Sequence, residues 1–175
     1  IEWTLPGSGR PHEVVLLGAH YDTEPQTPGA NDNATGVAAL LEIARRLENT
    51  RHRRTIRLVA FANEEAPWSM TDNMGSRAYA RRARDQGENI FSRISLDSRG
   101  YYRMEMGSQK YPPPLGLYYA GRADYLAFVG DWSSAWLVRR GIATFRQHTA
   151  LPAEGSTLPA SFRDIARSDH ASFWA

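Results

Sequence analysis

The 175-residue sequence contains no cysteine, which excludes disulfides and thiolate metal ligands, so any bound metal must be held by His, Asp and Glu. Lysine is almost missing too: Lys110 is the only one, and the positive side of the +2 net charge rests on arginine. No apolar stretch reaches membrane-spanning length, and the first residues lack the charged-then-apolar order of a secretory signal. The chain opens on Ile1 rather than Met, so a targeting segment or upstream region could precede it. Repeats, linkers and low-complexity segments are absent, and one domain over residues 1–175 is expected. Arg51, Arg53 and Arg54 follow an expected helix and Arg81, Arg82 and Arg84 fall late in another, where solvated faces and helix carboxyl ends accommodate them. Without an aromatic-interleaved recognition motif beside these clusters, a nucleic-acid partner is not expected.

What is present is an alternation of short apolar runs and amphipathic segments. Val14, Val15, Leu16 and Leu17 predict a buried strand that breaks at Gly18. A loop with Pro25, Pro28 and Gly29 follows, and then Val37, Leu40, Leu41, Ala44 and Leu47 recur at helical spacing, predicting a helix over 35–48. A second strand is predicted over 56–61, a helix over 75–86 stopped by Gly87, and a third strand over 90–96. This order argues for an α/β domain with a largely parallel sheet, whose ligands gather beyond the strand carboxyl ends. Residues 100–121 read as a structured loop or a short strand pair, 124–140 as a helix broken near Gly130, 142–145 as a strand and 151–159 as a loop.

Several polar groups fall just after the predicted strands. His20-Tyr21-Asp22 fits a metal-binding histidine with an orienting carboxylate, and equally a structural pair at a strand end. Residues 29–36, Gly-Ala-Asn-Asp-Asn-Ala-Thr-Gly, suit a turn and helix start as well as a ligand loop. Glu64 and Glu65 leave an apolar strand side by side; a cation between or near them removes their repulsion, although a solvent-facing turn also tolerates them. Asp97 follows the third strand, and Ser168-Asp169-His170 lies near the end.

Taken together and in order, His20-x-Asp22, Asp32-Asn33 in its glycine-bounded box, Glu64-Glu65, Gly75-Ser76 with Tyr79, Asp97, and Ser168-Asp169-His170 resemble the M28 zinc aminopeptidases, across most of the chain from Val14 to His170. The resemblance implies an α/β three-layer sandwich, with a mostly parallel, mixed central sheet flanked by helices, as in the zinc-exopeptidase (phosphorylase/hydrolase-like) fold. It implies two zinc ions, one held by His20 and Asp97, the other by Glu65 and His170, with Asp32 bridging them. Asp22 is then expected to orient His20, and Glu64 to be the general base acting on the attacking water. A cis peptide is expected between Asp32 and Asn33. The implied substrates are peptides with a free amino terminus. Domains of the family begin with an extra amino-terminal element and continue past the final histidine, so this chain is expected to lack elements at both ends.

Two other functions remain on the same scaffold: a glutaminyl-cyclase-like transferase using a single zinc, and a binding module that has lost catalysis. The full set of ligand residues favours hydrolysis. Within 66–74, Trp68, Met70 and Met74 either line a pocket for an apolar amino-terminal side chain or belong to a self-packed surface loop. A tyrosine that stabilises the oxyanion in some relatives has no counterpart after Tyr125; Tyr101, Tyr102, Tyr111, Tyr118 and Tyr119 are expected to pack as rim or core aromatics. His12, His52 and His148 are expected in surface or capping roles.

Overall fold

Each predicted strand of the first hundred residues pairs in the computed structural model, which describes every residue except 112–114, 120, 163–164 and 175. The chain forms two compact units, residues 1–100 with 160–175, and residues 101–159.

The first unit is built on a four-stranded sheet of order β1-β3-β2-β4, comprising β1 (Glu2–Leu5), β2 (Arg10–His20), β3 (Arg54–Phe61) and β4 (Asn89–Ser95). β2 runs parallel to both β3 and β4, whereas β1 lies antiparallel against β3, making the sheet mixed. β1 falls in the Gly/Pro-rich start, whose pattern predicts no strand; its four residues hold their place by pairing with Ile56 to Val59. Helix α1 (Thr35–Leu47) connects β2 to β3, and α2 (Gly75–Asp85) connects β3 to β4.

Alternation along the strands explains why helices occupy both faces. Val14 and Leu16 of β2 with Val59 and Phe61 of β3 pack against Tyr79 and Ala83 of α2. The intervening residues, Ala19 of β2 and Leu58 of β3, pack against Leu40 and Ala44 of α1, joined by Leu17, Val37, Ile43, Ile56 and Leu96. The unit is therefore three-layered, helix on sheet on helix. His20 ends β2, Phe61 ends β3 and Ser95 ends β4, so the segments carrying the acidic residues leave the same edge of the three parallel strands.

The second unit departs from the sequence reading. Residues 124–140 are not one broken helix: β5 (Leu126–Asp131) precedes a short 3-10 turn and then α3 (Ala135–His148). The expected strand over 142–145 lies inside α3, and the expected loop over 151–159 contains β6 (Ala153–Leu158), parallel to β5. Two features account for the difference. Asp131 starts a helix instead of interrupting one, accepting hydrogen bonds from Ser134 N at 3.0 Å and from the Ser133 and Ser134 hydroxyls. Ile142 and Val138 of α3 rest on β6 at Gly155, where an added Cβ would lie 2.1 Å from Ile142 Cδ1 and 3.4 Å from Val138 Cγ1. Over 101–123 the described residues form turns, a 3-10 turn at Leu115–Leu117 and an isolated antiparallel bridge between Arg103 and Ala123; residues 112–114 and 120 lie outside the described residues. Among the described residues no helix is long and apolar enough to cross a membrane.

Candidate metal centre

The apolar face pattern that buries β2 carries His20 into the protein, leaving it 1% exposed at the strand's end. Its Nδ1 lies 3.1 Å from the Asp22 backbone carbonyl and 3.7 Å from Asp22 Oδ1. Its Nε2 lies 3.1 Å from Asp32 Oδ1 and 3.8 Å from Asp97 Oδ1. The Asp22 carboxylate also accepts from the backbone N–H groups of Glu64 at 3.2 Å and Glu65 at 3.1 Å, tying the end of β2 to the turn after β3.

Asp32 sits in a distorted helical turn, Ala30–Ala34, ahead of α1, and the Asp32–Asn33 peptide is cis. Its carboxylate is half exposed. Asp97 follows β4, its Oδ1 accepting from Ser98 Oγ at 2.9 Å and its Oδ2 from Ser168 Oγ at 2.8 Å. Burial pushes the Asp97 carboxyl up, but the nearby His20 ring and the hydrogen bonds from Ser168 and Ser98 outweigh it and hold the group down at about 2. Burial pulls His20 down, yet the adjacent Asp97 carboxylate and the charges of Glu64 and Asp169 raise it to about 9.

Two sets of ligand atoms converge on His20 among the described residues: His20, Asp32 and Asp97 form one, His20, Glu64 and Glu65 the other, each with its atoms within 4.8 Å of one another. Glu64 is buried and is pushed up to about 8, first by burial and then by Asp169, Asp97 and Glu65, with His20 opposing. Glu65 is raised by burial and by Asp32, again against His20. So many carboxylates around one imidazole are mutually repulsive without a cation.

His170 is not part of either set. Its Nε2 lies 2.7 Å from the Ile165 carbonyl and its ring meets Trp174 edge-on at 5.1 Å. Its neighbour Asp169, to which the sequence motifs give no role, is 1% exposed with no hydrogen-bond partner for either carboxylate oxygen among the described residues. Burial pushes Asp169 up to about 6, with Ser76 and His20 pulling the other way and Asp97 and Asp22 adding to the rise. Ser168 is likewise a motif member without a role readable from sequence, and its hydroxyl holds Asp97. No local feature of the sequence marks either role, since both depend on the final turn, Asp169–Phe173, packing against α2 and β4.

The donor set fits a divalent metal. One imidazole and several carboxylates, without sulfur, suit zinc. Around the site, Met74 is buried at 1% exposure, so only Trp68 and Met70 of the 66–74 loop's three large apolar residues remain at the surface. Trp68 N and Ser69 N both bond the Glu65 carbonyl at 3.0 Å, placing the loop next to Glu65. In the second unit Tyr111 and Tyr119 pack with ring centroids 5.3 Å apart, Tyr111 bonds Tyr125 hydroxyl to hydroxyl, and Tyr119 donates to Gly155 O, as packing aromatics should. His52 and His148 contact the carbonyls of Leu47 and Thr144 in the last turns of α1 and α3.

Comparison with known proteins agrees with this architecture. The uncharacterized protein YfbL of Escherichia coli strain K12 is 35% identical over 170 residues, covering 92% of this chain and 52% of that protein. The chain thus spans about half the length of this curated relative. BSAP, a zinc aminopeptidase from Bacillus subtilis, superposes with a TM-score of 0.61 at 24% identity over 98% of this chain and 36% of that chain. A glutaminyl cyclase from an Acidobacteriales bacterium superposes with a TM-score of 0.64 at 23% identity over 98% of this chain and 53% of that chain. At these identities the two structures establish the shared mixed α/β fold. The model of Peptidase family M28 matches residues 1–174, end to end through every segment of the site, and the chain belongs to that family.

Proposed function

We propose that this chain carries the catalytic centre of a zinc aminopeptidase that hydrolyses the first peptide bond of substrates with a free amino terminus. The observation that carries the reading is the meeting of His20, Asp32 and Asp97 on one side and His20, Glu64 and Glu65 on the other, within hydrogen-bonding or ligand-pair distances. Two zinc ions with Asp32 between them are assigned by the family resemblance; the two ligand sets meet at His20, and Asp32, 3.1 Å from His20 Nε2, is also close enough to Glu65 to raise its carboxyl. His20, Asp32, Asp97 and Glu65 would hold metal, and His170 is assigned to it by family resemblance alone. Bound zinc supplies Lewis acidity, polarising the scissile carbonyl and making a water acidic enough to attack at neutral pH. Glu64 would take the proton from that water and return it to the departing amine; burial and neighbouring acids raise this carboxyl in the metal-free site, and a bound cation would lower it so that it can accept the proton. Asp22 fixes the geometry by anchoring the amides of Glu64 and Glu65 while its carbonyl faces His20 Nδ1.

A second reading is favoured by one observation, the position of His170 outside both ligand sets. With fewer ligands the centre would hold a single zinc and act as a transferase that cyclises amino-terminal glutamine. Assaying a leucine anilide and a glutaminyl peptide, with and without chelator, alongside zinc per chain, separates the two. Chelator-sensitive release of the anilide with two zinc ions supports the aminopeptidase. One zinc with cyclised product replaces it with the transferase, and turnover indifferent to chelation removes both.

A further inference from the structure

The loop box before α1 does more than present Asp32. Its alternate residues Asn31, Asn33 and Thr35 all reach to the segment that follows β4. Asn31 Oδ1 accepts from Gly100 N at 2.7 Å, and Thr35 Oγ1 accepts from Arg99 N at 3.0 Å while donating to Asn31 O at 2.6 Å. Asn33 Nδ2 donates to Leu96 O at 2.9 Å, and its Oδ1 accepts from Ser98 N at 3.3 Å and Gly36 N at 3.0 Å. Asp97 lies inside the segment these side chains bind, as Asp32 lies inside the segment that supplies them. Two glycines permit the close approach: a Cβ on Gly36 would stand 2.4 Å from Asn33 Oδ1 and 2.6 Å from Leu96 O, and one on Gly100 would stand 2.5 Å from Thr35 Cγ2.

We propose that Asn31, Asn33 and Thr35 are positioning residues that stitch the Asp32 loop to the Asp97 loop, so that both carboxylates face His20 Nε2 before a cation arrives. The inference rests on the metallopeptidase reading of the site. Like-charged carboxylates at the tips of two separate loops drive those loops apart, and here four cross-loop hydrogen bonds oppose the separation. Asn33 is 1% exposed, so water does not compete for its bonds, and each unmade bond would leave a buried polar group unsatisfied. The same bonds could serve folding alone; the distinction lies in whether they set metal affinity.

The test compares Thr35→Val, Thr35→Ser, Asn31→Ala and Thr50→Val in the full chain. Thr50, whose hydroxyl bonds Leu47 O at 3.0 Å beyond the far end of α1, is the control for loss of a hydroxyl at this helix. Zinc dissociation constants are read by chelator competition, site geometry by the visible spectrum of the cobalt-loaded protein, and apo-protein stability by thermal melts. Thr35→Val should weaken one zinc by about 10-fold or more and change the cobalt spectrum, as loss of a partner behind a ligand does. Thr35→Ser should restore both, Asn31→Ala should shift them the same way to a smaller extent, and Thr50→Val should leave them alone. If Thr35→Val and Asn31→Ala lower the melting temperature but leave zinc affinity and spectrum as in the unmutated chain, the stitch is structural only and the inference is overturned. Should the unmutated chain bind no zinc, the metallopeptidase reading itself fails, an outcome seen before any variant is made.

Discussion

Metal-free His20 keeps its proton to about pH 9 although burial opposes the charge, because Asp97, Glu64 and Asp169 surround it. A histidine raised from 6.5 to about 9 on folding contributes stability that is whole below pH 6.5 and lost as pH climbs to 9. Glu64, raised from 4.5 to about 8, changes stability in the same direction between those values, whereas Asp97, lowered from 3.8 to about 2, contributes stability that is lost only in acid. The metal-free chain should therefore become less stable from about pH 5 to pH 9. Zinc takes the place of these protons, so the rise in melting temperature on adding zinc should be larger at about pH 8.5 than at about pH 5.5. Equal rises at both pH values would put zinc elsewhere. Glu64→Gln tests the division of labour between the adjacent glutamates: kcat should fall by about 10²- to 10⁴-fold with zinc affinity nearly unchanged. A matching loss of zinc would make Glu64 a ligand. At this scale the sequence motifs single out His20, Asp32, Glu64, Glu65 and Asp97, and the fold brings their side chains together around His20, since each ends or follows a strand of the same sheet. They do not separate Asp169 from His170, because which of two adjacent residues in a short turn points inward is decided by what the turn packs against.

Among the elements, β2, β3, β4, α1 and α2 are legible because each strand is a short apolar run closed by turn residues or acids and each helix repeats its apolar or small residues every three to four positions. The β5-α3-β6 segment is not, since its strands are short and β6 is polar. β6 reads Ala-Glu-Gly-Ser-Thr-Leu and becomes a strand by pairing with β5. Inside α3, Ile142 and Phe145 are β-branched and aromatic, yet they serve a helix whose Phe145 meets Phe128 of β5 edge-to-face at 5.6 Å. The local signal for that helix is Asp131-Trp132-Ser133-Ser134, a helix start. Asp131→Ala should accordingly destabilise the chain by about 1 kcal/mol, read as a lower urea midpoint at unchanged slope. An unaltered midpoint would mean that α3 does not depend on the capped 3-10 turn that leads into it.

For the molecule as a whole, the first unit is closed at its antiparallel edge by a polar clasp. The Arg57 guanidinium in β3 lies 3.3 Å from Glu2 of β1, donates to Tyr79 Oη of α2 at 2.8 Å and pairs with Glu88 ahead of β4. Tyr79 in turn donates to Glu2 at 3.0 Å, and Arg82 lies 3.3 Å from the same carboxylate. Removing the central cation takes the paired charge from the part-buried Glu88 carboxylate and leaves Glu2 with only Arg82 and Tyr79, so Arg57→Met should cost about 2 kcal/mol in urea unfolding, more than Arg45→Met in the exposed pair with Glu42. Equal costs would reduce the clasp to surface decoration. The sequence by itself determined the alternation of strands and helices, and with it the gathering of acidic residues and His20 beyond the ends of the parallel strands, because apolar periodicity and chain direction are local properties. Only the tertiary structure decided that residues 2–5 and 153–158 are strands, that Asp169 is buried while His170 turns to Ile165, and that Asn31, Asn33 and Thr35 bind the loop of Asp97. Those outcomes depend on partners many residues away, and no single stretch of sequence contains both halves of such a contact.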